Sequence, residues 1–130
     1  MATNAQKRLE KLVANVAGAA ISTRGEVSPA EVLVGIGWLT KEKLDAWRMG
    51  QVPYLERVVN TNLNKISRAM KAFRSWARHS KLEPRLITYR RRSHALRFSK
   101  SGTPVIEMAY RTHFILVKRP SPHVCHNLLI

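Results

Sequence analysis

Apolar residues in this chain recur mostly at three- and four-residue steps, and that period, 100° of helix turn per residue, predicts a mainly helical protein. The strongest case is residues 60–79: Leu63, Ile66, Met70, Phe73 and Ala77 share one face, while Lys65, Arg68, Lys71, Arg74 and Arg78 fall on the remaining arc. Residues 4–21 place Leu9, Leu12, Val13, Val16 and Ala20 at the same spacing, and Ser22-Thr23-Arg24-Gly25 ends the run. The Ala-rich second half of that helix suits close packing within the domain and also admits a homodimer mate.

Start signals place the shorter helices. In Ser28-Pro29-Ala30-Glu31 the Ser hydroxyl is set to accept from the Glu31 amide, Glu31 to reach back to the Ser28 amide, and Pro29 fits the first helical position. That helix is expected to reach about Leu39. Thr40 then caps residues 41–49, with Leu44 and Trp47 inward and Gly50 closing. Pro53 opens a short helix to Val59, which merges with the long helix or bends from it near Asn60-Thr61-Asn62.

After the long helix the period shortens. Residues 86–91 and 95–100 are rich in β-formers with partial alternation, and Arg92-Ser93-His94 joins them into an expected antiparallel hairpin. Ser101-Gly102-Thr103-Pro104 is a turn, with Thr103 placed to cap a helix over 104–112, and 114–117 reads as a last short strand. The expected fold class is mainly α with a small antiparallel β-hairpin, in one domain over 1–118 with a flexible tail at 119–130.

Charge changes the picture. The 130 residues carry a formal net charge of +15. Residues 1–56 are nearly balanced, with 7 Lys and Arg against 6 Asp and Glu, whereas residues 57–130 hold 16 against 2. A solubilising surface intersperses both signs, so this segregation points to a polyanionic partner, nucleic acid first. One cysteine, Cys125, excludes an internal disulfide framework, and no apolar run reaches the roughly 18 residues of a membrane span, so a soluble cytoplasmic protein with no membrane partner is expected. The apolar stretch after Lys7, Arg8 and Lys11 is too interrupted, at Asn15 and Gly18, for a secretory signal.

The order helix, helix, helix, basic hairpin over residues 28–100 resembles winged helix-turn-helix domains. That resemblance implies a DNA-binding role in which the 60–79 helix enters the major groove and the hairpin lies on the adjacent backbone. The expected contact residues are Asn62, Lys65, Arg68, Lys71, Arg74 and Arg78 on the helix, and Tyr89, Arg90, Arg91, Arg92, Arg97 and Lys100 on the hairpin. Tyr89 and Phe98 are the candidate stacking residues. Asn60, Asn62 and Asn64 are candidates for base edges, although capping is the better explanation of Asn at a helix start. The stretch from Trp47 to Arg57 also looks like a segment of uncharacterised bacterial proteins and implies no activity.

For catalysis the residues are sparse. There is no Gly-rich phosphate loop and no His-Glu-x-x-His spacing, and after Arg57 only Glu83 and Glu107 are acidic. His123-Val124-Cys125-His126 offers three soft ligands at most, so no metal and no cofactor are expected. The reading is therefore a non-enzymatic nucleic-acid-binding protein. Three alternatives stand beside it: an RNA-binding or ribosome-associated protein, an adaptor for an acidic protein surface, and a small metal-independent ribonuclease. The last would use His79 or His94 as general acid or base, Tyr89 as a second proton carrier, and Arg91 or Arg97 on the developing charge.

Overall fold

Capping side chains start three of the helices. The computed structural model describes residues 4–92 and 94–117; the expected tail lies outside them. Ser28 Oγ accepts from the Glu31 amide at 3.2 Å and opens α2 (Pro29–Gly35). The Glu31 carboxylate does not reach the Ser28 amide as expected: it accepts from the Ser28 hydroxyl at 3.1 Å and pairs with Arg24, whose guanidinium competes for it. Thr40 Oγ1 accepts from the Lys43 amide and opens α3 (Lys41–Arg48), and Asn62 Oδ1 accepts from the Lys65 amide and opens α4 (Leu63–His79). Before α2 stands α1 (Asn4–Arg24), three residues longer than the sequence pattern suggests, and the two-residue strand β1 (Glu26–Val27).

Two expected helices are shorter. The α2 helix stops at Gly35, because the amides of Trp38 and Leu39 fold back on the Leu33 carbonyl and satisfy it there. Residues 53–59 form only a 3-10 turn, Leu55–Val58. The chain then bends at Asn60, whose amide donates to the Trp38 carbonyl at 2.6 Å, so the turn and α4 are separate elements.

The expected hairpin is the largest correction. Of the expected strand over 86–91, Leu86 instead ends β2 (Glu83–Leu86), which pairs with residues 112–115 and not with 95–100. Only β3 (Arg90–Arg91) and β4 (His94–Ala95) pair as a hairpin, with Arg90 opposite Ala95 and Arg91 opposite His94. Then follow α5 (Pro104–Arg111) and β5 (Thr112–Ile115). Thr103 makes no side-chain cap to α5; its hydroxyl donates to Ser101 Oγ instead. The three-stranded sheet runs β1-β5-β2, antiparallel throughout, with Val27 and Pro84 both opposite Phe114. Pro84, which has no amide to donate, sits on an edge strand as it must.

The core gathers Val13 and Ala17 from α1, Val32 and Leu33 from α2, Trp47 from α3, and Ile66, Ala69, Met70, Phe73 and Ala77 from α4. Phe114 meets Phe73 edge-on at 5.3 Å between centroids, which seats the sheet on α4. Helices α1 and α2 approach closely at Gly35, where a Cβ would stand 2.2 Å from Val16 Cγ1. No helix among the described residues is long and apolar enough to cross a membrane.

Candidate nucleic-acid interface

Helix α4 presents an apolar third of its surface to the core, which leaves the wider arc to cations. Lys65, Arg68, Lys71, Arg74 and Arg78 are all exposed. At 100° per residue they spread over about 180° of the helix, and at 1.5 Å per residue over about 20 Å of its length. Among the described residues, Arg24 is the one Lys or Arg paired with a carboxylate. The consecutive pairs Lys65–Arg68, Arg68–Lys71, Lys71–Arg74 and Arg74–Arg78 are three or four residues apart. Each such like-charged pair disfavours the helix by about 0.2–0.5 kcal/mol, a repulsion that an anion on this face relieves.

Asn62 is exposed at the start of this array, and its Oδ1 is engaged in capping α4 at 2.9 Å. The sequence places Leu63 on the buried face, but it is 54% exposed, because the first turn of α4 projects past the core beside α5.

The hairpin is held from below by aromatic rings. Phe98 is fully buried, stacked on Tyr110 at 5.2 Å and tilted against Trp47 at 4.7 Å. Tyr89 meets Phe98 edge-on at 5.1 Å. Tyr89 and Phe98 therefore face the core and are not available to stack on bases, which corrects the expectation for both. The Tyr89 hydroxyl lies 2.6 Å from His113 Nε2, and His113 Nδ1 lies 2.6 Å from a Glu26 oxygen. A carboxylate only accepts, so Nδ1–H donates to Glu26, while Nε2 and the Tyr89 hydroxyl share the second hydrogen bond of the ring. This chain links β1, β5 and the hairpin base. Burial pushes the Tyr89 hydroxyl above its ordinary pKa, against the opposing pull of Ser28 and the Arg48 guanidinium, which sits 5.5 Å over the ring.

The hairpin cations divide by role. Arg90 and Arg92 are exposed, and Arg92 has φ 57 in the turn, so it does not share a strand face with Arg90 as strict alternation implies. Arg91 is half-buried, with its guanidinium 3.7 Å from Met49 Sδ at the end of α3. Arg97 is a brace: Nε donates to the Ser99 carbonyl, a terminal nitrogen to the Lys100 carbonyl, and the guanidinium lies 5.4 Å over Tyr54. Its own carbonyl accepts from Trp47 Nε1 at 2.7 Å. Lys100 is exposed, and its amide donates to Glu56.

Two acidic side chains beside the hairpin, Glu107 and Glu56, are structural. Glu107 accepts from the amides of Phe98 and Ser99 and from the Ser99 hydroxyl. Glu56 accepts from the Lys100 amide and from the Tyr110 hydroxyl, whose pKa is raised by burial first and by the Glu56 contact second. Of the ribonuclease groups, His94 and Arg91 stand opposite each other in the hairpin. His79 donates to the Ser75 carbonyl at the end of α4, His94 lies on β4, Tyr89 is buried with His113, and Arg97 is committed to carbonyls. Among the described residues no group of three or more His, Cys, Asp or Glu is placed to hold a metal ion; His123-Val124-Cys125-His126 lies outside them.

Three exposed cations were not singled out by any motif: Arg48 at the end of α3, Lys81 on the turn after α4, and Arg85 on β2. Their charge is plain in the sequence, but their place near the basic elements depends on the chain path. No family model, no curated protein sequence and no solved structure matches the chain.

Proposed function

We propose that the protein binds nucleic acid without catalysis, duplex DNA in particular, through the outward face of α4 and the tip of the β3–β4 hairpin. The observation that carries this reading is the unneutralised cation array: Lys65, Arg68, Lys71, Arg74, Arg78, Arg90 and Arg92 are exposed and have no carboxylate partner among the described residues. The inward turn of Tyr89 and Phe98 favours duplex over single-stranded partners, since it removes the base-stacking platform that single-strand binders use. On this reading the wing of the winged-helix resemblance takes an altered form. The wing-like element is the whole connection between the adjacent strands β2 and β5, residues 87–111, with the β3–β4 hairpin and α5 inside it. In this arrangement Lys65 and Arg68, one turn into α4, are nearest the base edges, and the hairpin arginines lie on phosphates.

The test is fluorescence anisotropy with a labelled random-sequence DNA duplex across salt concentrations. Roughly 6–10 phosphate contacts give a log–log slope of about −5 to −9. Neutralising Arg90 and Arg92 should weaken binding on all sequences and flatten the slope by roughly one per lost contact. A salt-independent affinity, or stronger binding to single-stranded RNA than to duplex DNA, refutes the proposal.

A further inference from the structure

Helices α4 and α5 do not close on each other over residues 63–74 and 105–110. Between them lies a cavity of about 430 Å³, within the roughly 300–1,000 Å³ of small-molecule sites. Ile66 and Met70 line it from α4, and Val105, Ile106 and Ala109 from α5. Leu63 and Val105 on its border are 54% and 77% exposed. These residues leave apolar surface in water that folding of the described chain does not cover.

Two charged side chains line this groove, and they are not equivalent. Both oxygens of Glu56 already accept, from the Lys100 amide at 2.9 Å and the Tyr110 hydroxyl at 2.7 Å. Arg74 has no carboxylate or carbonyl acceptor among the described residues, so the unpaired charge of the groove calls for an anion, with the Asn64 and Ser67 side chains beside it. A second copy is a poorer occupant, because a two-fold interface sets this patch against itself and a concave surface does not fill a concave surface.

We propose that the α4–α5 groove binds an anionic amphiphile, an acyl chain bearing a carboxylate, with the chain against Ile66, Met70 and Ile106 and the carboxylate on Arg74. Arg74 also belongs to the cation array of α4. A carboxylate held there neutralises one of the charges that attract phosphate, so the amphiphile and the duplex oppose each other's binding by the same factor. This second part rests on the nucleic-acid reading; the site itself does not.

The experiment titrates the whole protein with decanoate below its micelle concentration, by calorimetry and amide NMR, first without nucleic acid. Saturable one-to-one binding is expected, with shifts confined to α4 and α5. Decyltrimethylammonium should bind at least tenfold more weakly, and Arg74→Gln should weaken decanoate at least tenfold. Val105→Gln, at an exposed position that leaves the fold intact, should weaken both amphiphiles. No binding of decanoate, equal binding of the cationic amphiphile, or a concentration-dependent dimer that protects the groove overturns the site. Decanoate is then added to the protein–duplex complex, where duplex affinity should fall several-fold in the wild type and not in Val105→Gln. Decanoate binding with no duplex binding under any condition removes the proposed function and leaves the site. Binding of both without competition overturns the shared role of Arg74.

Discussion

Replacing Glu107 by Ala removes the acceptor from which the loop after β4 hangs. Its carboxylate takes the Phe98 amide at 2.9 Å, the Ser99 amide at 2.6 Å and the Ser99 hydroxyl. Phe98 is 0% and Ser99 1% exposed, so water does not replace the lost acceptor without opening the loop. A buried donor left unpaired costs about 1–3 kcal/mol, which for two amides gives roughly 2–6 kcal/mol. Glu107 itself is half-buried, and partial access of water from that side places the expectation near 3 kcal/mol for Glu107→Ala. Glu107→Gln keeps one accepting oxygen and should lose about half as much. Urea unfolding reads both values as a shift of the midpoint at constant m. Hydrogen exchange should speed up first at Phe98 and Ser99, and with them the hairpin that carries Arg90 and Arg92 should loosen. A loss below about 0.5 kcal/mol for Glu107→Ala, against a typical total of about 5–15 kcal/mol, refutes the account of this carboxylate as a structural clamp.

Phe73→Ala should cost about 3–5 kcal/mol through the cavity it leaves under Phe114, whereas Lys71→Ala, fully on the outward arc, should leave the melting temperature nearly unchanged. Gly35→Ala should destabilise by about 1–3 kcal/mol, because its Cβ would meet Val16 Cγ1 at 2.2 Å and force α1 and α2 apart; wild-type stability for this variant contradicts the close approach. Stability should also fall in alkali. The buried Tyr110 hydroxyl keeps its proton above the pH of about 10 at which the unfolded chain loses it, so the contribution is intact below that pH and declines above it by about 1.4 kcal/mol per pH unit. Guanidinium unfolding from pH 9 to 11 should show a shallower decline for Tyr110→Phe, and an unchanged slope contradicts the burial argument.

What the sequence determined by itself was local or additive. The caps at Ser28, Thr40 and Asn62 are legible because a capping bond spans three residues, and the α4 pattern because a helix repeats its face every turn. The charge of residues 57–130 is a sum and needs no fold. Partners distant in the chain were decided only by tertiary structure. The pattern of residues 86–91 marks β-forming side chains but names no neighbour and gives no sign of a strand over 83–85, and β2 goes to β5 because Phe114 occupies the core against Phe73 and makes β5 the central strand. The same holds for Tyr89 and Phe98: an aromatic on a basic hairpin satisfies either a base or a core, and here Trp47 and Tyr110, some fifty and twelve residues from Phe98, complete a core. Glu107 and Arg97 look like free charges in the chain, yet one holds backbone amides and the other carbonyls. Hydrogen-bonding capacity belongs to a residue type, but whether it is spent inside the fold or left for a partner depends on which backbone groups the folded chain brings within 3 Å.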